Sequence, residues 1–86
     1  MHFTSIIIGG IEMEYEHTGI LKHNGEGRYS ISDGYYWTSG EPIEIFYDEE
    51  WLYGIIEYSH EYKDYYFCND DEGIYVYDLG NLKARI

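Results

Sequence analysis

The spacing of strand-forming runs constrains this fold more than any other feature of the sequence. Runs of Tyr, Ile, Phe, Trp and Thr recur along the chain, separated by clusters of Gly, Asn, Asp and Ser. Those residue types suit a pleated, half-buried surface. Short runs punctuated roughly every 8–12 residues by turn formers indicate a small barrel or sandwich. No long stretch repeats apolar residues at i, i+3, i+4 and i+7, so helix has little support. The expected class is therefore all-β: a small barrel or a strongly bent antiparallel sheet, with one short helical turn around Leu79 to Leu82. Closing the sheet would also remove the edges that a Tyr- and Ile-rich sheet offers to other chains.

The runs place the strands. Phe3 to Ile8 reads as a first strand, and Glu12 to Leu21 as a second with a bend at Gly19. Asn24-Gly25 marks a turn before a strand at Arg28 to Ser32. Asp33-Gly34 is a hairpin signal leading into Tyr35 to Thr38, and Ser39 to Pro42 is a further turn. Ile43 to Tyr47 and Trp51 to Tyr58 form a hairpin across Asp48-Glu49-Glu50. Asp64 to Cys68 and Gly73 to Asp78 form another across Asn69 to Glu72, and Leu82 to Ile86 is the last strand. No repeat, linker or composition shift divides the chain. Residues 1–11 read as an N-terminal extension or edge strand, and 12–86 as a single small domain.

Charge sets the second constraint. Seventeen carboxylates face five Lys and Arg, a net charge of −12 over 86 residues. Between Tyr29 and Tyr62 there is no Lys or Arg, while Asp33, Glu41, Glu44, Asp48, Glu49, Glu50, Glu57 and Glu61 all fall there. Such a surface repels nucleic acid and anionic membrane and attracts basic surfaces. The longest apolar run, Ile6-Ile7-Ile8, is far too short to span a bilayer. The N-terminus lacks the pattern of a secretory signal. A cytoplasmic protein is expected. Cys68 is the only cysteine, so no intrachain disulfide can form, and its place beside Tyr66 and Phe67 reads as a buried small hydrophobe.

Several segments together resemble a known family. They are Gly27-Arg28-Tyr29-Ser30-Ile31, Thr38-Ser39-Gly40-Glu41-Pro42-Ile43-Glu44-Ile45, Trp51-Leu52-Tyr53-Gly54-Ile55-Ile56-Glu57, Tyr65-Tyr66-Phe67 and Leu79-Gly80-Asn81-Leu82-Lys83-Ala84-Arg85-Ile86. The chain resembles an uncharacterised family of very small proteins of Gram-positive bacteria and their phages, plasmids and transposons, a domain of unknown function. The resemblance implies an SH3-like β barrel and no biochemical activity. This sequence departs from it at Ile55, where the family pattern has Arg, which makes this chain more acidic than its relatives.

The candidate chemistry is binding. His17, His23 and His60 coexist with many carboxylates, but no nucleophile elbow and no phosphate loop is present, so no enzyme activity is expected. Asn69-Asp70-Asp71-Glu72 is rich in oxygen yet lacks the EF-hand spacing, so neither a metal nor a cofactor is expected. In Glu12-Met13-Glu14-Tyr15-Glu16 the acids alternate, and one strand would line them up about 6.6–6.8 Å apart on one face. With the tips Asp48, Glu49, Glu50 and Asp70, Asp71, Glu72, this suggests a surface that mimics a nucleic-acid backbone. Tyr35, Tyr36, Trp37 and Tyr53 form a second candidate, an aromatic patch for a partner.

Three functions follow. The leading one is a mobile-element or phage inhibitor, anti-CRISPR-like, that blocks a basic channel of a host defence protein such as a nucleic-acid-binding nuclease. Its partner is a basic protein surface, with no direct nucleic-acid or membrane contact and with a homodimer compatible. The alternative is an SH3-like peptide- or protein-binding adaptor using the Tyr/Trp patch. A small-ligand sponge ranks last, because phosphates need cations or backbone N–H groups and only Lys22, Arg28, Lys63, Lys83 and Arg85 could help.

Overall fold

The computed structural model describes the backbone of residues 4–8 and 11–86, and side chains from residue 14 onward. It is all β. In chain order the strands are β1 (Thr4–Ile8), β2 (Ile11–Tyr15), β3 (Thr18–Ile20), β4 (Lys22–His23), β5 (Tyr29–Ser30), β6 (Pro42–Tyr47), β7 (Glu50–Ser59), β8 (Asp64–Asn69), β9 (Ile74–Val76) and β10 (Lys83–Arg85). Six of them form one bent antiparallel sheet in the order β3-β10-β6-β7-β8-β9. Strands β1 and β2 make a separate two-stranded sheet, as do β4 and β5.

The turns explain the meander from β6 to β9. Tyr47 pairs with Glu50, so the connection between β6 and β7 is the two-residue loop Asp48-Glu49 rather than the three expected. Both loop residues take positive φ, 53° and 66°, as a twist-matched hairpin turn requires. Ser59 pairs with Asp64 across a four-residue turn, and Asn69 pairs with Ile74 across Asp70 to Gly73. Before β6, Glu41 folds over its own turn and accepts hydrogen bonds from the Thr38 amide and hydroxyl at 2.6 and 2.9 Å.

Alternation then sorts the side chains. Ile43 and Ile45 of β6, Ile56 of β7, Phe67 of β8, Val76 of β9 and Ala84 of β10 point to one face and are buried. Leu21, Tyr29, Ile31 and Trp37 from the preceding segment, with Leu79 after β9, cover that face and complete the core. Trp37 is completely buried, and its Nε1 donates to the Pro42 carbonyl at 3.1 Å.

Four further expectations change. The sheet is not closed into a barrel: its order begins at β3 and ends at β9, which do not pair with each other. The bent-sheet alternative is the one observed. Leu79 to Leu82 is a hydrogen-bonded turn, Leu82 N–H to the Leu79 carbonyl at 3.2 Å, and not a helical one. The run Glu12 to Leu21 is two strands, because the His17 backbone turns to pair with Ile86 at 3.0 and 2.9 Å. Tyr36 joins Ser30 only by a single bridge, although the Asp33-Gly34 turn forms as expected.

Among the described glycines, Gly54 leaves the least room for a Cβ. A Cβ there would lie 2.5 Å from the Cys68 carbonyl and 2.6 Å from the Phe67 ring, so the ring lies directly over the glycine backbone. Gly54→Ala is expected to lower stability by about 1–3 kcal/mol, as overpacking does, read as a lower urea midpoint.

Candidate functional site

The outer face of the same sheet carries the candidate site. Strand alternation puts Tyr53, Ile55 and Glu57 of β7 on it, beside Tyr66 and Cys68 of β8 and Tyr75 of β9. Ile55 faces Cys68, which faces Tyr75, and Glu57 faces Tyr66. Tyr77, two residues after Tyr75, stacks on Tyr66 with centroids 5.1 Å apart, and Tyr62 meets Tyr77 edge-on at 5.2 Å. Tyr53 is 63% exposed, Tyr62 64%, Tyr75 48% and Tyr77 47%, so the rings present area to solvent. The result is a contiguous tyrosine face on three adjoining strands.

Each end of this face has a depression. One, of about 310 Å³, is lined by Tyr53, Gly54, Ile55, Cys68, Asn69, Asp70 and Asp71. The other, of about 390 Å³, is lined by Tyr62, Asp64, Tyr65, Tyr77 and Asp78. Cys68 and Asp64 lie four residues apart on β8, so the two are separated by roughly 13 Å.

Carboxylates tune the face. Tyr75 donates to Asp70 Oδ1 at 2.6 Å, and that bond and the adjacent charge push the Tyr75 phenol up to about 12. Burial, then a bond to Asp70, pushes the Cys68 thiol above its ordinary value, which opposes formation of the thiolate. The charge of Glu61 raises Tyr62. Among the described residues no group of three or more His, Cys, Asp and Glu is placed to hold a metal ion. In the acidic loop, Asn69 Oδ1 accepts the Glu72 amide at 3.0 Å and Asp70 Oδ1 accepts the Tyr75 hydroxyl at 2.6 Å.

Two His–Asp pairs brace the molecule. His17 Nδ1 meets Asp33 Oδ2 at 2.8 Å while its ring stacks on Tyr35 at 4.1 Å. The bond from His17 holds the Asp33 carboxyl below the usual carboxylate range. His23 Nε2 meets Asp64 Oδ1 at 2.8 Å and stacks on Tyr29 at 4.1 Å. Tyr29 donates to Asp64 Oδ2 at 3.0 Å.

The sequence-predicted residues scatter. The side chain of Glu12 lies outside the described residues. Glu14 is exposed on β2 and Glu16 in the bend that follows it, and both line a cavity of about 350 Å³ with His17, Tyr35 and Ile86. Asp48, Glu49 and Glu50 are exposed at the β6–β7 turn, and Asp71 and Glu72 at the β8–β9 turn. Those two tips share one end of the sheet, while Ile86, beside Glu16, lies opposite the start of β6. Of the aromatic set, Tyr53 and Tyr36 are exposed and Tyr35 is half-buried. Trp37 is a core residue: packed between the sheet and Tyr35, it offers no surface to a partner. Tyr62 and Tyr66 belong to the aromatic run Tyr62 to Phe67, which the sequence shows with rings on both strand faces, but they and the period-2 pair Tyr75 and Tyr77 are outside the predicted set.

The outer face also holds an unforeseen cluster. Arg85 is buried, 6% exposed, with its guanidinium 3.7 Å from the Trp51 ring centroid and 4.1 Å from that of Tyr15. Its Nε and Nη2 both donate to Glu44 Oε1, at 3.2 and 3.0 Å. The Tyr15 hydroxyl beside it is buried and makes no hydrogen bond among the described residues. Lysine can keep the ion pair but not the planar fork or the stacking. Arg85→Lys is therefore expected to cost about 1–2 kcal/mol, measured by thermal or urea unfolding.

Tyr29 makes stability depend on alkaline pH. Burial first, then its bond to Asp64, pushes its phenol up to about 12 from 10.0. The folded state thus favours the neutral phenol, and this contribution is full below pH 10 and is lost as pH rises through about 12. A urea midpoint falling across that window, with a shallower fall in Tyr29→Phe, is the expected result.

A family model described as a domain of unknown function (DUF5348) matches residues 19–86. No curated protein and no solved structure matches the chain.

Proposed function

The chain belongs to the DUF5348 family, and from that premise we propose that it is a non-enzymatic binding module taking a basic polypeptide segment on its tyrosine face. The observation that carries this reading is the set of exposed rings on and flanking adjoining strands, Tyr53 on β7, Tyr75 on β9, Tyr77 just after it and Tyr62 in the β7–β8 turn, with Glu57, Glu61 and Asp71 beside them. Tyr supplies rigid contact area at low entropic cost and is common at binding hot spots. The carboxylates select for Lys and Arg in whatever lies across the rings. Four of the five cations of the chain are engaged elsewhere: Arg85 with Glu44, Arg28 with Glu26, Lys83 over Phe46 and Lys22 with Asn81. We take the bent sheet as an opened relative of the SH3-like barrel that the sequence resemblance implies.

The rival reading, an inhibitor that occupies a basic nucleic-acid channel of a defence protein, draws its support from the net charge of −12 and from the exposed tips at Asp48 to Glu50 and Asp71 to Glu72. Exposed Tyr is compatible with it as well, but its main contacts would be the carboxylates.

An NMR titration with a Pro- and Arg-containing basic peptide, and with its Glu-substituted counterpart, separates the two. Only the basic peptide is expected to bind, shifting amides of β7, β8 and β9. Tyr53→Ala and Tyr75→Ala should each weaken binding about tenfold. Neutralising Glu14, Glu16, Asp48 and Glu49 to Gln or Asn should change it little. Insensitivity to both Tyr changes, with loss on neutralising the acids, would overturn the proposal in favour of the inhibitor.

A further inference from the structure

The cavity at the start of β8 has a composition that points to one kind of ligand. Its walls are the rings of Tyr62, Tyr65 and Tyr77, and its charged groups are Asp64 and Asp78. Its volume, about 390 Å³, is near the lower end of the range for ligand sites, so it suits a side chain or a very small molecule. Tyrosine faces attract cations through the ring quadrupole. Carboxylates add charge-assisted hydrogen bonds.

The two carboxylates differ in their freedom. Asp64 is oriented by three donors: His23 and the Tyr65 amide on Oδ1, and Tyr29 on Oδ2. A carboxylate has about four lone-pair sites, so Oδ2 keeps one. Asp78 is exposed and makes no side-chain hydrogen bond or ion pair among the described residues. It stands in a left-handed conformation, φ 56°, in the segment that follows β9. Lys63 is the neighbouring cation in sequence, but it is not among the residues lining the cavity.

The same protein already binds one guanidinium with these parts. Arg85 lies between two aromatic rings and bonds a single carboxylate. The cavity offers several aromatic rings and two carboxylates with no cation of the chain among them. We infer that it is a guanidinium cage, a site where the planar cation of an arginine side chain or of a small guanidinium compound packs against Tyr62 and Tyr77 and bonds Asp78. If the guanidinium belongs to a polypeptide, the inference rests on the reading of the tyrosine face above, with this cage as its anchor point.

The test titrates the folded protein with three probes: methylguanidinium, acetyl-Gly-Arg-Gly-amide, and the same peptide with citrulline, the uncharged isostere of arginine. Ring resonances of Tyr62 and Tyr77 are followed by NMR. Both guanidinium probes are expected to shift these rings, and the citrulline peptide is not. Tyr62→Ala, at an exposed position, should weaken binding about fivefold. Asp78→Asn keeps the size and tolerates the left-handed backbone, and should weaken it about tenfold. Tighter binding of the peptide than of methylguanidinium assigns the cage to a polypeptide arginine. The reverse assigns it to a free small cation, and either supports the inference. Equal shifts with citrulline, or unchanged affinity in both variants, would overturn it. If methylguanidinium binds here while no basic peptide docks on β7 to β9, the cage stands and the proposed function falls. If peptides dock with no loss on exchanging arginine for citrulline, the cage falls and the proposed function stands.

Discussion

A guanidinium buried in a chain of net charge −12 has to be compensated from more than one side, and Arg85 is compensated by Glu44, Trp51 and Tyr15. Those partners come from β6, β7 and β2. The strand that carries Arg85 is itself central, paired with β3 through Lys83 to Arg85 and with β6 through Ala84 and Arg85. Losing that strand would leave β3 without a neighbour and expose the β6 edge. A buried ion pair is not by itself a strong source of stability, because desolvation opposes the attraction. Here the two aromatic faces replace part of the lost hydration, and the cluster fixes where β10 sits.

The two faces of the sheet then diverge. One is filled by Ile, Phe, Val and Trp and excludes water, as in any small core. Among the described residues the other has no covering layer over β7, β8 and β9, so Tyr takes the positions where a ring packs on its neighbours and a hydroxyl stays wet. Carboxylates at the rim keep such a face soluble. In the proposed reading they also set what it attracts, so that solubility and recognition would arise from the same side chains.

Much of the architecture was legible in the sequence because hairpins are local. The pairs β6–β7 and β8–β9 follow directly from apolar runs divided by Asp48-Glu49-Glu50 and by Asn69 to Glu72, with turn bounds off by a residue. The place of β10 was not legible, since nothing in Lys83-Ala84-Arg85 says that its neighbours are Thr18 to Ile20 and Glu44 to Ile45. For the same reason the Arg85 cluster escaped notice: Glu44 lies 41 residues away. Trp37 was misread as surface because Tyr35-Tyr36-Trp37 has aromatics on both faces, so alternation alone cannot choose the inner one. The acidic run from Glu12 to Glu16 looked like one continuous strand because the pairing of His17 with Ile86, which ends it, is equally remote in sequence. The tyrosine face fell between these cases. Its residues were visible, but gathering them required the register of three strands.

The strand order has a consequence for the sequence of events in folding. Strands β6 to β9 form a meander whose contacts span short loops, so their closure costs little chain entropy. Pairing of β3 and β6 with β10 closes loops several times longer and is expected to come later. The tyrosine face belongs wholly to the early-forming part. The proposed partner surface is thus expected to assemble before the segment that seals the core, and its geometry depends on local pairing more than on the final closure of the sheet.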